Sequence, residues 1–302
     1  MAAAIAPPGS RVRSAPVLAL LGACTIAFSA ILVHQAAVEP ATAAVYRCLY
    51  ALPVLGYLAW REERRFGTRG EGQRRLALLA GLFFAADLVF WHQAIEDVGA
   101  GLATVLGNLQ VVIVPFAAWA ALGEAPGRRI LAALPLTLIG VVLISGALED
   151  GAYGANPARG VAFGALTGIS YAGFILLLRH GSQDRRRPAG PLFDATWVAA
   201  VASFAAALAL GVDDLAPAWP SAGWLVLLAL SSQVLGWLLI STSLPRLPAA
   251  LTSMILTVQP VGSVVLGIVL LGEDPSVLQL CGAALILAGL VSLAAGRRAR
   301  AE

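Results

Sequence analysis

Long apolar runs, separated by short charged or Pro- and Gly-containing segments, follow one another along the whole chain. Most runs hold roughly 20 residues, the length that an α-helix needs to cross a bilayer. In lipid the backbone must satisfy its own hydrogen bonds, so each run is predicted to be a helix. The predicted spans, numbered 1 to 10, are Pro16–Gln35, Ala41–Ala59, Leu76–Ile95, Gly101–Leu122, Ile130–Gly146, Gly160–Leu178, Leu192–Leu210, Gly223–Ser243, Ala249–Leu271 and Val277–Ala295. The pattern therefore predicts an all-α integral membrane protein with ten transmembrane helices.

The chain contains one pattern twice. The stretch GLATVLGNLQVVIVPFAAWAALGE at Gly101–Glu124 aligns without a gap with ALTSMILTVQPVGSVVLGIVLLGE at Ala250–Glu273, and matching residues differ by 149 positions. Gln110 corresponds to Gln259, and the Gly-Glu pairs that end both runs coincide. Internal repeats of this kind are typical of transporter folds and indicate a duplicated membrane protein.

The odd number of helices in each copy predicts how the copies are oriented. The first repeat, residues 1–150, holds spans 1 to 5, and the second, residues 151–302, holds spans 6 to 10. Because five crossings reverse the direction of the chain, the second repeat is expected to be inverted relative to the first. Inverted repeats place a binding site near the middle of the membrane, at their interface, and allow alternating access.

The composition fits a chain that is mostly embedded in lipid, since 59% of the residues are hydrophobic and 12% are charged. All 20 basic residues are arginines, and 18 of them fall on one side of the membrane if the N-terminus is cytoplasmic. Because basic loops stay on the cytoplasmic side, we expect a bacterial cytoplasmic membrane protein with both termini in the cytoplasm. The net charge of +3 then reflects orientation and does not indicate nucleic-acid binding.

Three pairs of stretches resemble the EamA-type permeases of the drug/metabolite transporter superfamily. They are AIEDVGAGLATVLG and SLPRLPAALTSMIL, which lead into spans 4 and 9, the LGE and LLGE endings of those spans, and the glycine-centred LTLIGVVLISG and LILAGLVSLAAG that close the repeats. The resemblance covers nearly the whole chain. It implies a ten-helix, two-repeat fold around a central cavity lined largely by spans 1, 3, 4, 6, 8 and 9. It also implies transport of small metabolites, often export of amino acids or related compounds.

Two ionisable residues, Arg47 and Asp87, stand out deep inside predicted spans, where a charge is costly and suggests a function. At 1.5 Å per residue, Arg47 lies roughly 9 Å below the outer end of span 2, and Asp87 roughly 12 Å below that of span 3. We expect them to form an ion pair or to share a polar cavity. Such a pair could fix only the packing of the two helices, or it could contact substrate and couple transport to protons. The residues leave both alternatives open.

Aromatic and amide side chains complete the candidate substrate-binding set. The candidates are Asp87, Trp91, Asn108, Gln110, Tyr171, Gln233, Trp237 and Gln259. Trp91 lies one helical turn after Asp87 on the same face. Inversion of the repeats is expected to bring Gln110 and Gln259 together around one axis, with Asn108 nearby. Amides offer donors and acceptors to an amino-acid or sugar-like ligand, and interhelical hydrogen bonding is their alternative role.

Other polar and small residues are expected to be structural. Gly160, Gly164 and Gly168 form a ridge on span 6 that lets another helix approach closely. His92, at the outer end of span 3, is expected to be solvated, although it could titrate near neutral pH. The three cysteines lie in apolar runs and lack the spacing of metal ligands.

The sequence therefore favours a secondary transporter that exports a small organic metabolite such as an amino acid. A passive channel or facilitator is the main alternative, followed by an intramembrane enzyme. HExxH, GxSxG and Walker-type motifs do not occur, so neither hydrolysis nor ATP-driven transport is indicated. We expect no metal or cofactor, and we expect the partners to be a small-molecule substrate, the lipid bilayer and protons.

Overall fold

The structure is a computed structural model that describes residues 15–110, 112–113, 128–145, 148–149, 151–182, 184, 186–212, 215–243, 256 and 258–295. Within these residues the regular secondary structure is entirely helical. The helices are α1 Ala15–Ala27, α2 Ser29–Ala36, α3 Pro40–Leu49, α4 Leu52–Phe66, α5 Glu71–Val98, α6 Ala100–Gly107, α7 Arg128–Ile144, α8 Pro157–Gly181, α9 Ala189–Ala209, α10 Ser221–Leu228, a π-helical segment Ala229–Gly236, α11 Trp237–Ser243, α12 Val258–Leu271 and α13 Val277–Ala295. The end of predicted span 4, with the first Gly-Glu pair, and the start of span 9 lie outside the described residues.

Six helical stretches in the described residues are long and apolar enough to cross a membrane. They correspond to predicted spans 1, 2, 3, 6, 7 and 8. Three shorter apolar helices, Leu131–Ile144, Val258–Leu271 and Val277–Gly289, fall in spans 5, 9 and 10. The predicted multi-pass, all-α class is confirmed, whereas the total of ten spans stays a prediction.

Three of the long stretches depart from regular α-helix near their middle. Helix α1 gives way to α2 at Phe28, and α3 gives way to α4 at Tyr50 and Ala51. Between α10 and α11 the chain forms the π-helical segment. Such segments often occur at functional positions, because the wider turn changes which side chains face the interior.

Equivalent helices of the two repeats pack against each other in opposite directions. Helix α7 packs against α13, with Gly140 opposite Gly282 and Ala133 opposite Gly289. The α3–α4 stretch packs against α9, and α6 packs against α12. Antiparallel contact between equivalent helices is the relation that two inverted repeats require. The interface between the repeats therefore runs through the middle of the bundle.

The glycine ridge of α8 permits close helix packing. A Cβ atom added at Gly160 would lie 2.7 Å from the Cβ of Val98, and one added at Gly164 would lie 2.5 Å from the Cβ of Leu106. At Gly168 the nearest side-chain atom would be 3.1 Å away. These separations leave no room for larger residues, so the predicted packing role of the ridge is confirmed.

A buried carboxylate joins the repeats at the end of the bundle where α12 ends. Glu273, which is 5% exposed, accepts hydrogen bonds from the backbone N–H groups of Ala100 and Gly101 at the start of α6. A helix cannot pair its first N–H groups internally, and its positive dipole end favours a carboxylate. Beside this contact, Arg159 donates to both carboxylate oxygens of Asp97, at 3.0 and 2.9 Å. We call this the Glu273 end.

The opposite end is joined by a second carboxylate at a helix start. Glu62, near the end of α4, accepts hydrogen bonds from the N–H groups of Ala189 at 3.0 Å and Gly190 at 2.8 Å, where α9 begins. Next to it, Arg69 Nη2 and Asp194 Oδ2 lie 2.8 Å apart in a buried ion pair. Asp194 is not among the predicted intramembrane ionisable residues, although it lies just inside predicted span 7. We call this the Glu62 end.

We predict that Glu273→Ala lowers the free energy of unfolding by about 1–3 kcal/mol, because two buried N–H groups lose their acceptor. Thermal unfolding of the detergent-purified protein, followed by tryptophan fluorescence, measures the loss. Glu71→Ala is the matched control, because it removes a carboxylate that is 77% exposed and should change stability by about 0.5 kcal/mol or less. Equal losses in the two variants would contradict the role given to Glu273.

Candidate functional site

Helices from both repeats enclose one small cavity in the interior of the bundle. It has a volume of about 60 Å³. Predicted spans 1, 2, 3, 4, 6, 8 and 9 all contribute to its wall. The lining residues are Ile26, Ser29, Arg47, Phe84, Asp87, Leu88, Trp91, Thr104, Gly107, Asn108, Thr167, Tyr171, Trp237 and Gln259. The cavity thus lies at the repeat interface, and span 2 joins the six spans that the resemblance implies.

Most of the candidate residues come together in this wall. Arg47, Asp87, Trp91, Asn108, Tyr171, Trp237 and Gln259 line the cavity, whereas Gln110 and Gln233 are buried elsewhere. The two equivalent glutamines therefore do not meet in the cavity, contrary to expectation. Helix α6 ends at Gly107, and the chain turns at Asn108 before a new helical turn begins at Gln110. This break places Asn108 in the wall and Gln110 outside it.

The guanidinium group of Arg47 is held by the π-helical segment of the opposite repeat. Arg47 is 3% exposed; its Nε donates to Gln233 Oε1 and its Nη2 to Ser232 Oγ, both at 3.2 Å. Gln233 Nε2 in turn donates to Thr196 Oγ1 in α9 at 3.1 Å. The Trp91 ring centroid lies 5.6 Å from the guanidinium carbon, within the range of a cation–π contact. Gln233 therefore positions Arg47 from behind the wall.

Asp87 lines the same cavity but forms no ion pair with Arg47. It is 7% exposed, and the salt bridges among the described residues do not include one between these two side chains. None of the described residues donates a hydrogen bond to its carboxylate either. Of the two arrangements predicted for the pair, the shared cavity is the one observed. The cavity thus contains a guanidinium group and a carboxyl group that are not paired with each other.

Aromatic rings form much of the remaining wall. The ring centroids of Tyr171 and Trp237 lie 6.1 Å apart, with the planes at 81°. Phe84 meets Trp237 in a similar edge-on contact at 6.2 Å. Such T-shaped contacts are favourable and rigid. The rings keep the surroundings apolar, and a low local dielectric strengthens the interactions of both charges.

His92 is buried, so the expectation that it is solvated is wrong. It is 1% exposed, and its Nδ1 lies 3.0 Å from the carbonyl oxygen of Pro40 at the start of α3. Helix α5 continues to Val98, three residues beyond the predicted end of span 3 at Ile95. His92 therefore lies within the helix and contacts a neighbouring helix instead of water.

Several hydroxyl residues at the site are absent from the predicted set. Ser29 and Thr167 line the cavity, Ser232 accepts a hydrogen bond from Arg47, and Thr196 accepts one from Gln233. Serine and threonine are common in membrane helices, so one hydroxyl in an apolar run carries little information. The signal for Ser232 is its place in the polar triplet Ser-Ser-Gln that ends at Gln233.

The described residues contain no group of three or more His, Cys, Asp or Glu side chains that could hold a metal ion. The cavity brings together a guanidinium group, a carboxyl group, neutral polar groups and aromatic rings, and this set is suited to binding a ligand.

Comparison with known proteins gives one family and one fold. The sequence model described as "EamA-like transporter family" matches residues 13–146 and again residues 158–295, which are the two repeats. A solved structure described as "Crystal structure of protein" aligns with a TM-score of 0.60 and 16% sequence identity. The alignment covers 94% of this chain and 99% of that one, so the two share a fold. No curated protein matches the chain.

We predict that Gln233→Leu lowers the free energy of unfolding by about 1–3 kcal/mol, because Arg47 Nε is left buried without an acceptor. The double variant Arg47→Met with Gln233→Leu should lose less than the sum of the single losses, because both partners are then apolar. Thermal unfolding in detergent measures all three. Gln93→Leu is the control, since Gln93 donates to the exposed side chain of Glu96. Strictly additive losses would contradict the coupling of Arg47 to Gln233.

Proposed function

The chain belongs to the EamA-like transporter family, and on this premise we propose that it is a secondary transporter that exports a small zwitterionic metabolite such as an amino acid. The substrate binds in the cavity between the repeats. Rocking of the repeats against each other then exposes the cavity to one side of the membrane and to the other in turn.

The main observation in support of this proposal is that Arg47 and Asp87 line the same cavity without forming an ion pair. Buried charges are expensive, and a bound ligand of complementary charge offsets that cost. A zwitterion supplies both complements, because its carboxylate accepts hydrogen bonds from Arg47 and its ammonium group donates to Asp87. A planar guanidinium is well suited to a carboxylate, with which it can form two parallel hydrogen bonds.

The remaining wall supports a compact organic ligand. The rings of Phe84, Trp91, Tyr171 and Trp237 offer apolar surface to the carbon skeleton, and an ammonium group over an aromatic face gains a cation–π attraction. Ligand sites commonly have volumes of roughly 300–1,000 Å³. The cavity of about 60 Å³ is smaller, so the walls must move apart when a metabolite enters.

The contacts at the two ends support a carrier in preference to a channel. Glu273 joins the repeats at one end, and Glu62 joins them at the other. A channel needs a continuous polar path, whereas here the polar side chains gather around a central cavity. Membership of a transporter family also disfavours the intramembrane enzyme.

We further propose that protons drive transport and that Asp87 takes up the coupling proton. Its carboxylate lies in the cavity without a hydrogen-bond donor among the described residues. The distribution of arginines supports a bacterial cytoplasmic membrane with both chain termini in the cytoplasm.

Counterflow of radiolabelled amino acids into proteoliposomes tests this function. We predict trans-stimulated uptake in the wild-type protein, because a carrier returns faster when loaded and a channel does not. Arg47→Gln and Asp87→Asn should each reduce uptake by about tenfold or more, since each removes one charge of the binding pair. Asp274→Asn changes an exposed carboxylate at the Glu273 end and should leave uptake unchanged. Absence of trans-stimulation with every common amino acid would contradict the proposal.

A charge exchange separates substrate binding from helix packing. We predict that the double variant Arg47→Asp with Asp87→Arg does not transport, because Gln233 and Ser232 are placed to support a guanidinium on α3 and not on α5. In addition, a pH gradient should stimulate uptake by the wild-type protein and not by Asp87→Asn. Proteoliposome uptake with and without the gradient measures both. Substantial transport by the exchanged variant would show that the pair serves only packing.

A further inference from the structure

Three polar atoms on the cavity-lining residues are buried without a partner. They are Thr167 Oγ1, Trp237 Nε1 and Gln259 Nε2, and none has a hydrogen-bond partner among the residues that the structure describes. Buried polar atoms in proteins are nearly always paired. Other unpaired buried atoms, such as His92 Nε2 and Ser203 Oγ, belong to residues outside the cavity wall. Three unpaired polar atoms around one cavity call for an explanation.

The three atoms share one chemical need, which is a hydrogen-bond acceptor. An indole N–H and an amide NH₂ can only donate, and a threonine hydroxyl can donate as well as accept. All three groups are neutral, so a neutral oxygen satisfies them without placing another charge in the interior. Amide, carbonyl and hydroxyl oxygens are acceptors of this class.

The donors also have a shared location in the fold. Thr167, Trp237 and Gln259 all belong to the second repeat, whereas Arg47 and Asp87 belong to the first. The two charged residues of the wall thus lie in the first repeat, and its three unpaired donors lie in the second. The two groups are carried by different helices.

We propose that Thr167, Trp237 and Gln259 form a second subsite, which binds a neutral oxygen on the side chain of the substrate. The inference rests on the proposed function and narrows it: the substrate is a zwitterion with an oxygen-bearing side chain, not an aliphatic one. A site built to donate hydrogen bonds discriminates strongly against ligands that lack the acceptor, because its donors are then left buried and unpaired.

Such a ligand connects the two halves of the protein. Its charged groups bind the first repeat, and its side-chain oxygen binds the second. A bound ligand of this kind therefore contacts both repeats at once, whereas a ligand without the oxygen leaves the donors of the second repeat unpaired. The subsite in this way links recognition of the side chain to movement of the repeats.

Paired competitors that differ by one polar group test the subsite. The wild-type protein in proteoliposomes is assayed for counterflow inhibition by L-threonine against L-valine, and by L-methionine sulfoxide against L-methionine. The oxygen-bearing member of each pair is expected to inhibit about tenfold more tightly. In Trp237→Phe and in Gln259→Leu the ratio should fall to about threefold or less, since one donor is gone. Trp197→Phe, on an outward-facing position of α9 that is 38% exposed, should keep the wild-type ratio.

The outcomes separate this inference from the proposed function. If no common amino acid undergoes counterflow, both the proposed function and the proposed subsite are contradicted. If amino acids are transported but both members of each pair inhibit equally, only the subsite is overturned. The same conclusion follows if the preference persists in both Trp237→Phe and Gln259→Leu. If either variant does not elute as a folded protein, Thr167→Val is used in its place. The inhibition ratio of the competitor pairs in the wild-type protein tests the subsite even without a variant.

Discussion

The site depends on the hydrogen bonds that uncharged side chains form with the buried guanidinium group of Arg47. Arg47 lies in a lipid-embedded bundle, where an isolated charge is costly, and its hydrogen bonds go to the amide of Gln233 and the hydroxyl of Ser232. Because these partners are uncharged, they accept hydrogen bonds from Nε and Nη2 and leave the positive charge uncancelled. The carboxyl group of Asp87 lines the same cavity and forms no ion pair with Arg47. A direct ion pair between the two would have used up the attraction that a ligand can now gain.

The same interaction crosses the boundary between the repeats. Arg47 is carried by α3, and both of its partners are carried by the π-helical segment of the other repeat. At the two ends, Glu273 and Glu62 hold the first turns of helices that also belong to the opposite repeat. Hydrogen bonds across the interface between the repeats thus connect them at the centre and at both ends of the bundle. Opening either side of the protein requires the hydrogen bonds at that end to rearrange.

The lipid environment makes the fold easy to predict from the sequence, whereas the binding site is harder to predict. Membrane spans can be predicted from the length of the apolar runs, because helices are the usual way for a chain of this kind to cross the bilayer. Arg47 and Asp87 stand out because ionisable residues are rare in such runs. Gln233 is different, since its supporting role depends on a π-helical segment that hydrophobic periodicity does not reveal. The prediction that Gln110 meets Gln259 in the cavity is wrong for a local reason, which is the break in the helix after Gly107. Sequence symmetry alone cannot foresee such a break.

The π-helical segment has a consequence for how the protein can change by insertion and deletion. Its turns contain more residues than α-helical turns, so the segment takes up additional residues within one stretch of helix. Loss of a single residue from it would therefore permit uninterrupted α-helix and leave the later side chains of that stretch facing as they do now. Trp237 follows the segment directly, so its indole would stay at the cavity, whereas Ser232 and Gln233, which lie inside the segment, would be displaced from Arg47. A deletion at this place would thus remove the support of the guanidinium group and keep both the membrane crossing and the indole in position.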